Sequence, residues 1–413
     1  MGRLVVLMVT AFVDMMGNLI VFPLIPYYAQ RLLGHGPLWT ALDKIGLGGD
    51  GAVVSLMVIV FAVAQLISAP YWGRFSDKFG RRPALMIGMA GSAVAFVVFA
   101  FADSLELLFL CRLVQGAGGG TVGVIQAYVA DATKPEDRSK ALGWLSAATN
   151  AGVTIGPAIG SWSMTFGYSG PGLVAAGILL VNMGFAWKYL AESNELAGVH
   201  ASARPAVRKS PEALRRVLSH PREPASRLIW VYGITMGSFQ GMTTVLALFL
   251  AFKFGVTEQT IGYFFAYVGG LSFITRAVFL GKMVDLFGEA RLSRIGMVLL
   301  AAGLAGMAAA PNIPMLAIAV AFVPLGTAFT FPCVTGMLSQ VVPQHERGLY
   351  MGVQQTFGGV GRVIGPIYAG FTYDYLGHGV PFYTAALIVL ATISLSVGIE
   401  NSIPARKPKA AAT

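Results

Sequence analysis

The sequence predicts an all-α membrane protein with twelve transmembrane helices in two pseudo-symmetric six-helix bundles. Three observations carry that prediction. First, hydrophobic residues make up 55% of the 413-residue chain and charged residues only 12%, about half the charged share of an ordinary globular domain. A surface with so few charges suits acyl chains rather than water. Second, apolar runs of spanning length recur along the whole chain. Third, Lys and Arg fall almost entirely on one side of the membrane that those runs define.

The runs lie at about 4–28, 51–72, 84–102, 106–130, 141–165, 170–190, 228–251, 261–280, 292–310, 314–341, 349–373 and 380–399. The first is too long for the apolar core of a signal peptide and is expected to be retained as a helix. Several contain Gly and Pro, which membrane helices tolerate. Cys111 and Cys333 both fall inside apolar runs, so no structural disulfide is expected. With a cytoplasmic N-terminus, 23 of the 29 Lys and Arg residues face the cytoplasm, and Arg31, Lys44 and Lys253 lie outside. Arg112, Arg276 and Arg362 remain within spans. This asymmetry accounts for the net charge of +10 through topology and anionic lipid headgroups, without nucleic acid. The expected organisation is an N-terminal bundle at 1–190, a cytoplasmic linker at 191–227 and a C-terminal bundle at 228–400. A cytoplasmic tail at 401–413 follows. The linker is rich in Pro, Ser and Arg, with a short surface helix expected around 211–218. Both termini are expected in the cytoplasm, and short loops and the lack of a targeting segment fit a multi-pass protein of the bacterial inner membrane.

The halves repeat one another. Gly73-Arg-Phe-Ser-Asp77-Lys-Phe-Gly80 follows the second run, and Gly281-Lys-Met-Val-Asp285-Leu-Phe-Gly288 follows the eighth. Both read G-x-x-x-D-x-F-G. In the fifth run Gly152, Gly156 and Pro157 match Gly361, Gly365 and Pro366 of the eleventh. The segments around 135–138 and 343–347 pair loosely between these motifs. Motif pairs in the same order at a near-constant offset indicate a duplicated six-helix unit, as in rocker-type transporters. The halves also differ: Glu289-Ala290 stands where the first half has Arg81-Arg82, and the tenth run has no counterpart of Arg112.

These residues resemble a known family. GRFSDKFGRRPAL (73–85) is similar to the signature loop between helices 2 and 3 of the major facilitator superfamily. Arg112-Leu-Val-Gln115-Gly116 resembles its second motif. Gly152-x-x-x-Gly156-Pro157-x-x-Gly160 resembles the motif of its proton-coupled antiporters. The resemblance covers nearly the whole chain and points to the twelve-helix drug:proton antiporters, the tetracycline-efflux-like group. It implies the major facilitator fold, alternating access, and a cytoplasmic latch of Gly73, Asp77, Gly80, Arg81 and Asp131 that holds the outward-open state. Arg362 is not part of the family motif.

Asp14 stands about ten residues into the first run, roughly 15 Å from its start at 1.5 Å per residue and so near the midplane. An ionised side chain there costs at least about 2.5–3.5 kcal/mol, and intramembrane acids commonly carry protons. Asp14 is therefore the candidate proton carrier, the alternative being a structural partner for an Arg or a helix end. Arg112 requires an acceptor, for which Asp14 and Gln115 are candidates. An Asp14–Arg112 pair that a substrate or a conformational change separates would couple protonation to transport; static helix–helix glue is the alternative. Arg362 near the middle of the eleventh run suits an anionic substrate group, or else Gln354, Gln355 or Gln240 satisfies it. Arg276, close to the end of its run, is expected to snorkel. Gly152, Gly156, Pro157 and Gly160 are expected to form a close helix contact. Candidate substrate contacts are Asn18, Gln115, Gln126, Asn150, Gln240, Tyr263, Gln355, Arg362 and Tyr368, with Tyr27 and Tyr267 behind them.

The five His residues fall in loops or the linker, and no G-x-x-x-x-G-K-[ST] loop is present. Neither an embedded metalloenzyme nor ATP-driven transport is expected. The sequence therefore predicts a monomeric proton-coupled transporter without a cofactor, the proton being the coupling ion. It would export small amphipathic compounds, or alternatively act as an exporter or flippase of lipid-like or organic-anion substrates through Arg112 and Arg362.

Overall fold

The computed structural model describes residues 3–119, 121–133, 137–192, 210–344 and 346–402. The linker stretch 193–209, the tail beyond 402 and the 135–136 part of the weaker repeat lie outside the described residues. Regular structure among the described residues is helical. Apolar side chains in long runs leave backbone hydrogen bonding within one segment as the way to satisfy N–H and C=O groups away from water.

The first run is α1 (Arg3–Val21), a 3₁₀ turn at Phe22–Leu24 and α2 (Ile25–Leu32). Pro23 and Pro26 sit at the starts of the turn and of α2, where a missing N–H costs least. A short helix, α3 (Pro37–Lys44), occupies the following connection. Next come α4 (Asp50–Phe79), α5 (Arg81–Ala100), α6 (Leu105–Gly119), α7 (Val122–Ala132), α8 (Arg138–Ser163) and α9 (Gly170–Tyr189). The linker carries α10 (Ser210–Ser219), over the stretch where a short surface helix was expected. The second half contains α11 (Pro224–Phe254), α12 (Ile261–Ile274), a π-helical turn at Thr275–Phe279, α13 (Leu280–Ala309), α14 (Ile313–Val341), α15 (Arg347–Tyr375) and α16 (Val380–Ser396).

Among the described residues, eight helical segments are long and apolar enough to cross a membrane. One of them, Ile261–Ala309, covers two predicted runs and is folded at Gly288, whose φ is 73°. Gly80 turns the corresponding corner between α4 and α5 with φ 108°. Both glycines end the duplicated motif in a region that L side chains rarely adopt. Helices α8 and α15 also cover predicted runs but are outside the eight, because their motifs replace large apolar side chains with Gly and polar residues. α16 is apolar and, at 17 residues, shorter than the eight.

By their contacts the residues form two compact units. The first comprises Met1–Arg204, Gly241–Phe273 and Pro366–Pro381. Within it α1 lies along α8. A Cβ on Gly156 would stand 2.6 Å from the Met16 carbonyl oxygen, and Gly152 and Gly160 press likewise on the Phe12 and Ile20 carbonyls. Asn182 Nδ2 of α9 donates to the Thr10 carbonyl of α1 at 2.9 Å, and Tyr128, Leu7 and Leu145 belong to one buried cluster. The second unit comprises Pro205–Gln240, Ile274–Gly365 and Phe382–Thr413. It repeats the glycine contact between α15 and α11: a Cβ on Gly361 would meet the Gly233 carbonyl at 2.5 Å, and Gly365 presses on Gly237. Here both helices contribute glycine, so the backbones approach over a face with little side-chain bulk.

Candidate functional site

Two spanning helices of the first unit each bury an ionisable side chain along their length. Asp14 of α1 is 8% exposed and Arg112 of α6 is 3% exposed. Among the described residues no ion pair joins them, so of the two candidate acceptors for Arg112 it is not Asp14 that is engaged. Arg112 instead donates from Nη1 to Gln115 Oε1 at 2.6 Å, one helical turn on. Its guanidinium carbon stands 4.5 Å from the centre of the Phe61 ring, a cation–π contact with α4. Gln115, expected among the substrate contacts, is fully buried and held by Arg112, so it faces no open space. Arg112 Nε and Gln115 Nε2 are both buried without a partner. A donor left unpaired in low dielectric costs about 1–3 kcal/mol, which makes this a locus where a rearrangement that supplies an acceptor is favoured.

The other expected contacts divide by exposure. Asn18 is half-buried and donates to the Asp14 carbonyl at 2.9 Å. Asn150 is exposed on α8 and donates to the Ser146 carbonyl at 2.6 Å. Gln126 and Gln355 are exposed and Gln240 is half-buried. Tyr263 is 77% exposed, more open than Tyr368 at 36%. Arg362 is half-buried on α15, and its Nε makes a long 3.4 Å bond to the Gly358 carbonyl of its own helix. Arg276 does not behave as a free snorkelling side chain. It is half-buried, and its Nε is shielded without a partner.

At the end of the first unit that carries the α4–α5 corner, the signature loop forms an ion cluster. Arg81 Nη1 lies 2.8 Å from Asp77 and its Nε 3.0 Å from Asp131 of α7. Nη1 also donates to Ser76 Oγ at 2.6 Å. All five residues expected in the latch are therefore near this corner, although Gly73 borders open space rather than a close neighbour. Glu192, which follows α9, accepts from the backbone N–H groups of Arg81 and Arg82 at 2.8 and 3.1 Å and caps α5. In the second unit Glu400 accepts from Arg294 at 3.1 Å. Glu192 and Glu400 share the offset of the G-x-x-x-D-x-F-G motifs, a signal present in the sequence. The counterpart of the Arg81–Asp131 contact is Gln340 Nε2 donating to Glu289 Oε2 at 2.6 Å.

The opposite, distal end of the first unit is a seal built from both halves of the sequence. Asp374 of α15 accepts from the Gly51 and Ala52 N–H groups, each at 2.8 Å, at the start of α4. Tyr27 donates to the Val256 carbonyl at 3.0 Å, and Ser161 Oγ accepts from Gly262 N–H at 2.8 Å. Tyr375 donates to the Gly46 carbonyl. Gly370 packs on Gly51 and Ser55, and Gly269 on Thr154, with no room for a Cβ. The sequence reading missed Asp374, because its position in the first half is Thr165 and the repeat offered no acid to compare.

Comparison with known proteins supplies a family and a set of relatives. The model of the Major Facilitator Superfamily matches residues 7–279 and 232–412. Multidrug resistance protein 1 of Bacillus subtilis (strain 168) is 27% identical over 98% of this chain and 96% of its own. Tetracycline resistance protein, class B, of Escherichia coli is 24% identical over 91% of this chain and 89% of its own. The crystal structure of the human organic anion transporter MFSD10 (TETRAN) superposes with a TM-score of 0.71 at 22% identity, covering 95% of this chain and 98% of that one. That likeness is one of fold.

Proposed function

Because this chain belongs to the Major Facilitator Superfamily, we propose that it is a proton-coupled exporter of small amphipathic compounds that works by alternating access. The observation that carries this reading is Asp14. It is an acid buried in a spanning helix, with no ion-pair partner among the described residues, on the helix that α8 grips through its glycines. A buried carboxyl without a counter-ion has one inexpensive way to lose its charge, which is to take up a proton. Binding that proton and binding substrate then bias the same conformational equilibrium.

The distal seal supports the alternating part of the cycle. Export requires one end to be closed while the other admits substrate, and the two hydrogen bonds to Asp374 and the one to Ser161 are contacts that a rocking motion can break and remake. The resemblance of the relatives to this chain over nearly its whole length supports drug-like cargo. The reading places both termini in the cytoplasm of a plasma membrane, with the chain acting as a monomer and without a cofactor. A second reading, export or flipping of organic anions or lipid-like molecules, is favoured by Arg362, which has no carboxylate partner among the described residues.

The test is proton-driven ethidium transport in proteoliposomes with an imposed pH gradient. Wild-type protein is expected to move the dye and dissipate the gradient, and Asp14→Asn to do neither. Undiminished gradient-driven transport by Asp14→Asn would sink the coupling role. Arg362→Ala separates the two cargo readings: loss of anion export with intact ethidium export favours the second.

A further inference from the structure

Within the second unit, Arg362 lies beside Tyr232, and neither Arg362 nor Arg276 has an ion-pair partner among the described residues. Arg362 spends its Nε on the long bond to Gly358, and a Cβ on Gly358 would stand 2.7 Å from the Tyr232 ring and 3.7 Å from an Arg362 terminal nitrogen. Ring and guanidinium therefore face each other across that glycine. Arg276 stands in the π-helical turn Thr275–Phe279. Its electrostatic neighbour is the Tyr232 hydroxyl rather than a carboxylate. Such turns insert one extra residue, re-aim side chains and recur at functional sites. Tyr232 is 8% exposed and packs against Phe331 at 5.3 Å, which in turn meets Phe239 at 6.4 Å.

Among the described residues neither arginine has an ion-pair partner, and Arg276 Nε is buried with no acceptor at all. Two acids of the same unit bond elsewhere, Glu289 to Gln340 and Glu400 to Arg294. A headgroup-seeking side chain would keep its Nε in water, whereas that of Arg276 is shielded within the protein. Guanidinium groups without a carboxylate, beside an aromatic wall, are complementary to an anion carried on an aromatic body.

We propose that Arg276 and Arg362, both bordering Tyr232, form a subsite for the carboxylate, sulfonate or phosphate of an aromatic amphipathic substrate. The Phe331 and Phe239 rings would receive its apolar body. This assignment rests on the transport reading and names the cargo chemistry that the second half selects.

The experiment is equilibrium binding to the purified full chain in neutral detergent, without a gradient. The probes are tritiated naphthalene-1-acetate and its neutral match naphthalene-1-acetamide. Wild type is expected to bind the carboxylate about tenfold more tightly, the worth of one charge-assisted contact. Arg276→Gln and Arg362→Gln should each erase most of that preference, and the Lys variants should restore part of it. Equal binding of the two probes to wild type, or an unchanged preference in both Gln variants, overturns the proposal. Displacement of the carboxylate by phosphatidylglycerol but not by naphthalene-1-sulfonate would assign the arginines to a lipid headgroup and overturn it as well. Asp14-dependent ethidium transport is measured separately. Its survival alongside a failed binding test removes the subsite alone, whereas its absence in wild type removes the transport reading.

Discussion

Replacing Gly156 with Ala tests the α1–α8 contact directly. The new Cβ would sit 2.6 Å from the Met16 carbonyl oxygen and 2.9 Å from Leu19 Cβ. Reaching an ordinary 3.4 Å contact requires a shift of about 0.8 Å from Met16. The closest atom is backbone, so no side chain can rotate away and the helices must separate. Overpacking of this kind costs about 1–3 kcal/mol, against about 0.5–1 kcal/mol gained from helix propensity. Gly143 lies on the same helix with nothing within 4 Å of its would-be Cβ, so Gly143→Ala should collect the gain without the cost. Cys111 and Cys333 are buried free thiols, so reaction with a thiol-activated dye on heating reports unfolding. Gly156→Ala should melt below wild type and Gly143→Ala at or above it. A Gly156→Ala midpoint equal to wild type would refute the close approach of α1 and α8.

Three further outcomes follow from the same geometry. Arg81→Lys retains a charge but cannot reach Asp77, Asp131 and Ser76 together. It should lower the melting midpoint by the equivalent of about 1–2 kcal/mol, discounted because Asp77 is partly solvated. Asp374→Asn keeps the side chain's shape but removes its charge from the start of α4. Weakening the cap by about 0.5–1 kcal/mol should raise maleimide labelling of a cysteine placed at Ala52, which is buried at that capped start; unchanged labelling would count against a gating role. Glu400 is held below the usual carboxylate range by its own backbone N–H and by Arg294. A depressed acid contributes stability that is present above its unfolded pKa and lost as pH falls through the folded value. The melting midpoint should therefore drop more steeply below about pH 4.3 in wild type than in Glu400→Gln.

Period, length and charge asymmetry made the helices legible, because a span announces itself by twenty apolar residues whatever its neighbours. The glycine contact was legible too: Gly152, Gly156 and Gly160 share a face at a spacing of four. Gly233 and Gly237, the α11 residues on which Gly361 and Gly365 press, carry the same spacing of four and lie outside the duplicated motif. Pairing was less legible. Asp14 and Arg112 stand at compatible depths, yet rotation of α6 turns Arg112 onto Gln115 and Phe61, and helix rotation is not written in depth. Arg276 looked peripheral because its distance from the end of a run was measured on an α-helix. The π-helical turn changes that register. Asp374 acts on a helix more than 300 residues earlier in the chain, a contact that only the folded seal defines.

The contact between Arg81 and Asp131 has a repeat-related counterpart in Glu289 and Gln340. The cation at the start of the third helix of one half has become an anion in the other, and its partner has changed from acceptor to donor. The duplicated halves are thus no longer interchangeable parts. A chimaera carrying two copies of the first loop would set an arginine against an amide whose donor end has lost its acceptor, while two copies of the second would bring Glu289's carboxylate to that of Asp131. Recombination between the repeats, easy for the backbone that turns both corners on glycine, is barred at these two positions by charge.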